Sequence, residues 1–225
     1  MSKQNSTVSS RLVFENARAM MIAQKVDPTN AQLTQGDLRL EQQLFNNKTQ
    51  YQFAILNNDN GTSGTIFNTE MRLTQQDAFV TSAMGFFLAK PTSNIDTTWI
   101  AHSYPSPAVF TTSGVAAAAE TLYNSILSIM VNNVNILPRL SMRRFRAVPQ
   151  SQQVAAAANQ NGIAQDQIDL SSDGWMVVEP NIVMIGSKGT IITLTLPATL
   201  AAVETFQRGC LFLEGVLAQN VTIIT

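Results

Sequence analysis

The chain has little with which to do covalent or metal chemistry. Cys210 is its only cysteine and His102 its only histidine. One thiol cannot close an intrachain disulfide and provides no cysteine-based zinc site, and a lone imidazole falls short of what a transition-metal site uses. Between Gly209 and Leu211, in an apolar run, Cys210 reads as a small core residue. Charge is scarce as well: Asp, Glu, Lys and Arg make up 13% of the chain, against a usual share of roughly 25%. The formal net charge is −1, so no global field steers the protein toward DNA or an acidic membrane. No run of about 18 apolar residues occurs that would cross a bilayer as a helix. The opening "MSKQNSTVSS" lacks the apolar core of a secretory signal, and synthesis in a cytosol is expected.

Apolar content is ordinary at 45%, and Asn, Gln, Ser and Thr stand where the missing charges would be. Among the cations, Arg outnumbers Lys nine to five, and Met (9) and Phe (11) are plentiful. Arg, Met and aromatics are the residues enriched at the cores of protein interfaces, where Lys and Glu are depleted. Surfaces this neutral favour packing against other protein, so extensive self-association is expected.

Residues 1–48 read as an N-terminal arm outside the main domain. A helix is expected from residue 10 to about 25, with Ser10 as N-cap and Arg11, Arg18 and Lys25 spaced by seven near one side. One more helical turn is expected near Leu38 to Leu44. From Thr49 the period changes to two: Tyr51, Phe53 and Ile55 alternate with Gln50, Gln52 and Ala54, as in a half-buried strand. "NNDNGTSG" is a turn. "TIFNTEMRL", "DAFVTSAMGFFLAK" (bending at Gly85), "SMRRFRAVP", "WMVVEP", "NIVMIG", "GTIITLTLP", "CLFLEGVL" and "NVTIIT" read as strands. "VAAAAETLY", Val115 to Tyr123, is the one internal helix. "SQQVAAAANQNGIAQDQIDLSSDG" reads as a surface excursion, partly helical. About eight to ten strands with uneven loops and no regular βα alternation predict an all-β sandwich or barrel. The spacing fits a jelly roll over residues 49–225 better than an up-and-down barrel, and a single one better than two.

The search for chemistry returns no strong motif. His102, beside Ser103 and Tyr104, leaves a Ser–His–acid triad open, but no nucleophile elbow accompanies it. Asp166, Asp169 and Asp173 offer hard oxygen ligands at a spacing foreign to an EF-hand. "GSKGT" lies between two strands and reads as a hairpin turn, not a phosphate loop opening a helix. No catalytic residue, cofactor or metal site is assigned, and a non-enzymatic protein is expected. Trp99, Tyr104 and Trp175 are the aromatics a carbohydrate-binding or adhesin-like β-sandwich would use, which is the alternative function.

"NILPRLSMRRFRAVPQ" gathers Arg139, Arg143, Arg144 and Arg146. On a strand, Arg144 and Arg146 share one face and Arg143 points with Phe145, so the cations do not form one stripe. Only Phe145 is placed to stack on a base, which argues against sequence-specific RNA readout. Two roles remain open: pairing with acids across a subunit boundary, or nonspecific neutralisation of phosphate.

The run "LYNSILSIMVNNVNILPRLSMRRFRAVPQ", followed by "VVEPNIVMIGSKGTIITLTLP" and "CLFLEGVLAQN", resembles the jelly-roll capsid proteins of small icosahedral tailless bacteriophages, including those with an internal membrane. The resemblance implies a virion protein that assembles with copies of itself, and with other virion proteins, into an icosahedral shell. It further implies that the arm, through Arg11, Arg18 and Lys25, contacts packaged nucleic acid or lipid headgroups without sequence preference.

Overall fold

The computed structural model describes residues 7–59, 61–62, 64–148 and 174–223. In chain order the elements are α1 (Thr7–Ala23), β1 (Val26–Asp27), β2 (Gln32–Gln43), β3 (Gln50–Phe53), β4 (Ala78–Ala89), β5 (Ala101–His102), α2 (Val115–Tyr123), β6 (Ile126–Val131), β7 (Val134–Ser141), a 3-10 turn (Met142–Phe145), β8 (Trp175–Ile185), β9 (Thr190–Thr195), β10 (Arg208–Gln219) and β11 (Thr222–Ile223). The described residues form an all-β sandwich with two α-helices.

The first sheet runs β2-β10-β4, and the far edge of β4 is shared by β8 along most of its length and β5 at its end. The second sheet runs β3-β9-β6-β7. Every pair of these strands is antiparallel among the described residues. The pairs β6·β7, β4·β8, β3·β9 and β2·β10 are nested around one tight turn, where Asn132 and Asn133 take positive φ of 50° and 62°. Two such residues in a row make the turn that matches strand twist, and short amides tolerate that conformation.

Alternation decides which face is buried. Leu38 and Leu40 on β2, Met84, Phe86 and Leu88 on β4, and Leu211 and Leu213 on β10 face Tyr51, Phe53, Leu127, Ile129, Ile192 and Leu194 of the second sheet. Together they form the main core, closed at one end by Val115, Ala119, Leu122 and Tyr123 of α2. The helix expected over Val115 to Tyr123 has those bounds. Phe86 stands at the centre, edge-on to Phe53 (6.5 Å) and to Tyr123 (5.9 Å).

Several expectations are corrected. The helical turn near Leu38 to Leu44 is instead part of β2, which pairs with β10 over its whole length, so residues 32–43 are sheet and not arm. The helix begins at Thr7, placing Ser10 inside it, and ends at Ala23, leaving Lys25 beyond it with φ 62°. "TIFNTEMRL" is irregular and forms no strand, with single bridges from Met71 to Arg39 of β2 and from Leu73 to Leu56. "MRRF" is a 3-10 turn because Met142 and Phe145, three apart, are both fully buried on one side. The irregularity in β4 falls at Ser82, between Thr81 and Ala83, and not at Gly85. "GSKGT" connects β8 to β9, which lie in different sheets, so it is a crossing and not a hairpin. The excursion read in "SQQVAAAANQNGIAQDQIDLSSDG", with Asp166, Asp169 and Asp173, lies outside the described residues up to position 173.

Candidate functional site

The informative surface is the outer face of the first sheet. Along β10, Leu211 and Leu213 enter the main core, so Arg208, Cys210, Phe212 and Glu214 point outward. Past the register shift at Glu214 and Gly215, Val216 and Ala218 take the outward positions. Three zones follow one another on this face.

The first is apolar. Ala17 and Met21 of α1 pack on Ala78, Val80, Ile185, Val216 and Ala218, a second small core beneath the helix.

At the opposite end lies a buried ionic zone. Arg208 donates to Glu41 at 2.8 Å, with the two side chains 1% and 0% exposed. Arg39 reaches the same carboxylate at 3.0 Å, and Thr69 donates to it as well. Segment 65–73 lies over this zone. Glu70 accepts from the backbone N–H of Glu41 and of Phe67, each at 2.8 Å, and pairs with Arg72 at 2.7 Å. Burial pushes the Glu70 carboxyl above its ordinary range, and the hydrogen bonds from Glu41, Arg72 and Phe67 oppose that rise. Arg208 also donates to the carbonyls of Asn94 (2.8 Å) and Ser93 (3.2 Å), and its guanidinium lies 3.8 Å over the Phe67 ring. Each buried ion thus has a partner, the condition under which burial is tolerable.

Between these covers a band of sheet stays open. Phe87, Phe212 and Trp175 form a triangle with centroid separations of 5.5, 5.8 and 6.2 Å. The Arg39 guanidinium bridges Phe212 (5.5 Å) to Trp99 (4.2 Å). A shallow cavity of about 420 Å³ is lined by Gln35, Gly36, Asp37, Trp175, Phe212 and Glu214. Asp37 and Glu214 are Cα partners across β2 and β10, both are exposed, and no ion pair engages either among the described residues. Like charges placed directly opposite on neighbouring strands cost roughly 0.2–1 kcal/mol. Val177, 68% exposed, extends the band along β8.

The arginines singled out from sequence are scattered. Arg146 pairs with Glu120 of α2 at 2.9 Å, Arg143 donates to Asn124 Oδ1 at 2.9 Å, and Arg144 contacts the Met176 sulfur at 3.9 Å. Arg139 stands exposed on β7, the outer strand of the second sheet, with no partner among the described residues. On α1, Arg11 pairs with Glu15 at 2.8 Å in solvent, and Arg18 is exposed; Lys25 is exposed beyond the helix. Arg11, Arg18 and Lys25 therefore do not share one helical stripe. His102 packs edge-on to Phe110 at 5.9 Å, and burial holds its pKa below the ordinary value. Ser103 donates to the Ala147 carbonyl at 2.6 Å.

No protein-family model, curated protein or solved structure matches the chain.

Sequence reasoning missed Asp37, Arg39, Glu41, Phe212 and Arg208, and nothing in the context of Glu70 or Glu214 singles either out. A signal was present in "GDLRLEQQL", where Asp37, Arg39 and Glu41 alternate with Leu38 and Leu40 at the strand period.

Proposed function

We propose that the chain is a structural subunit of a virion shell, built on a single jelly roll and assembling through faces and edges of its β domain. The observation that carries this is the nested pairing. Counting the eight long strands from β2 to β10 without β5, the orders are one-eight-three-six and two-seven-four-five. A long hairpin, folded at β6·β7 and rolled so that its two arms wrap one core, supports the jelly-roll reading. The sparse charge, and sheet faces carrying exposed Ile126, Val134, Ile136 and Val177, fit a surface covered by further copies. In a closed shell each contact can be weak because every copy makes several of them. Size-exclusion chromatography with light scattering, followed by electron microscopy of the purified full chain, tests the proposal. Rings, sheets or closed particles are expected; a stable monomer at high concentration overturns it.

A role for α1 against packaged nucleic acid or lipid headgroups belongs to the same proposal, with Arg18 and Lys25 as cations in no ion pair among the described residues. Deleting residues 1–25 should reduce retention of nucleic acid or lipid by assembled particles.

One observation favours a second reading, a carbohydrate-binding sandwich: Trp175 and Phe212 stand half-exposed over a cavity edged by Asp37, Glu214 and Gln35. Ring faces beside hydrogen-bonding groups suit a sugar. Binding of a discrete monomer to immobilised oligosaccharides would favour this over the shell.

A further inference from the structure

We infer that the open band on the first sheet is the receiving half of a contact between copies, and that Arg139 of a second copy is the group it receives. This rests on the self-assembly proposed above and names the site through which it acts.

The band has the makings of a guanidinium site. Phe212 and Trp175 offer aromatic faces, and the neighbouring carboxylates of Asp37 and Glu214 edge the same cavity. A cation is attracted to an aromatic face, and the planar fork of arginine carries enough N–H donors to serve two carboxylates at once. Two acids facing each other across a ladder repel one another while the cavity is empty. A cation between them converts that repulsion into attraction. Arg39 shows the same chemistry within the chain, stacked over Trp99 at 4.2 Å while bonded to Glu41.

The donor follows by elimination among the arginines of the cluster. Arg143, Arg144 and Arg146 are engaged within their own chain, whereas Arg139 is exposed on a strand with no neighbour on its outer side among the described residues. Val134 (58% exposed) and Ile136 (43%) share that strand, and Val177 (68%) lies beside Trp175 on the receiving band. The two halves therefore match in charge and each offers apolar area. Because donor and receiver sit on different sheets, every copy gives one contact and receives one, and association can propagate beyond a pair.

The test is a charge exchange in the full chain, read by mass photometry and electron microscopy. Arg139→Glu, and separately Asp37→Lys with Glu214→Lys, should each weaken association at least tenfold while the thermal melting profile stays that of a folded sandwich. Mixing the two variants in equal amounts should restore association, as should combining all three substitutions in one chain. Asp37→Asn with Glu214→Gln, which removes the repulsion and keeps the shape, should fold at least as well as the parent and still associate poorly. Association of the exchanged variants equal to that of the parent overturns the contact while leaving self-assembly intact. Rescue by Arg18→Glu in place of Arg139→Glu overturns the choice of donor. Normal assembly of the Asp37 and Glu214 variants, with loss of retention on neutral oligosaccharides, overturns the contact in favour of a sugar site. A parent chain that stays monomeric removes the self-assembly on which the inference stands.

Discussion

Glu41 on β2 and Arg208 on β10 meet at 2.8 Å with both side chains almost wholly removed from water. Removing one member leaves the other charge buried, which costs about 3–5 kcal/mol. Glu41→Leu takes from Arg208 the carboxylate it pairs with and should therefore lower the urea unfolding free energy by about that much. Glu41→Leu combined with Arg208→Met replaces both ions by apolar groups and should cost less than Glu41→Leu alone. A double variant as unstable as the sum of the single ones would contradict the pairing.

Gly215 sits where β10 shifts register against β4. A Cβ there would lie 1.9 Å from the Val80 carbonyl oxygen and 3.1 Å from the Thr81 Cα, both backbone atoms that cannot swing aside. Gly215→Ala should cost roughly 2–3 kcal/mol, the range of a forced backbone shift. Gly189→Ala, with open space around the added methyl, should change stability by no more than about 0.5 kcal/mol. Chemical denaturation of the two variants side by side checks the contrast.

His102 titrates below its ordinary value because burial disfavours the imidazolium. Protonation is then easier in the unfolded chain. Stability from this group is complete above the unfolded pKa of about 6.5 and declines as pH falls through the window below it. Glu70 acts with the opposite sign: its raised carboxyl contributes stability below its ordinary 4.5, lost as pH rises through the raised value. Comparing the parent with His102→Phe cancels Glu70. Relative to that variant, the parent's urea midpoint should fall between about pH 7.5 and pH 5.5. An equal gap at both pH values would show an unshifted imidazole.

Arg146 and Glu120 tie the segment after the 3-10 turn to α2, with side chains 20% and 38% exposed. Arg146→Ala should cost about 1 kcal/mol, less at high salt, given that partial exposure. It should leave association between copies unchanged, in contrast to Arg139→Glu. Salt-dependent melts and mass photometry on the same samples separate the two roles.

Long alternating runs were readable before the structure. "TIITLTLP" and "CLFLEGVL" declared strands because one face had to be apolar, and "VAAAAETLY" declared a helix because alanine has nowhere better to be. The β2 strand carried a strand-period alternation in "GDLRLEQQL" that its polar composition masked. Its outward residues carry charge, and polarity in a strand is usually a sign of solvent, whereas here Glu41 is covered by Thr69 and Glu70 from a segment about thirty residues further on. The open band was hidden for the same reason. Asp37 and Glu214 become neighbours only through the β2·β10 register, which no local pattern encodes. The Asn132–Asn133 turn was legible in principle, since two consecutive short amides between apolar runs favour positive φ. For "MRRF" a two-residue period was assumed, and the burial of Met142 and Phe145 obeys a three-residue one.

The nested ladder sets an order on biosynthesis. Gln43 must wait for Arg208, and Gln32 for Gln219, before either can complete its pairing. At about 5–20 residues per second, translation leaves β2 with an unsatisfied edge for roughly ten seconds or more. Throughout that delay its Leu38 and Leu40 side chains lack the neighbouring Leu211 and Leu213 of β10. A nascent chain stalled before residue 208 therefore presents a sticky, half-built sheet to the cell, and the final long strand acts as the latch that renders the product safe to accumulate.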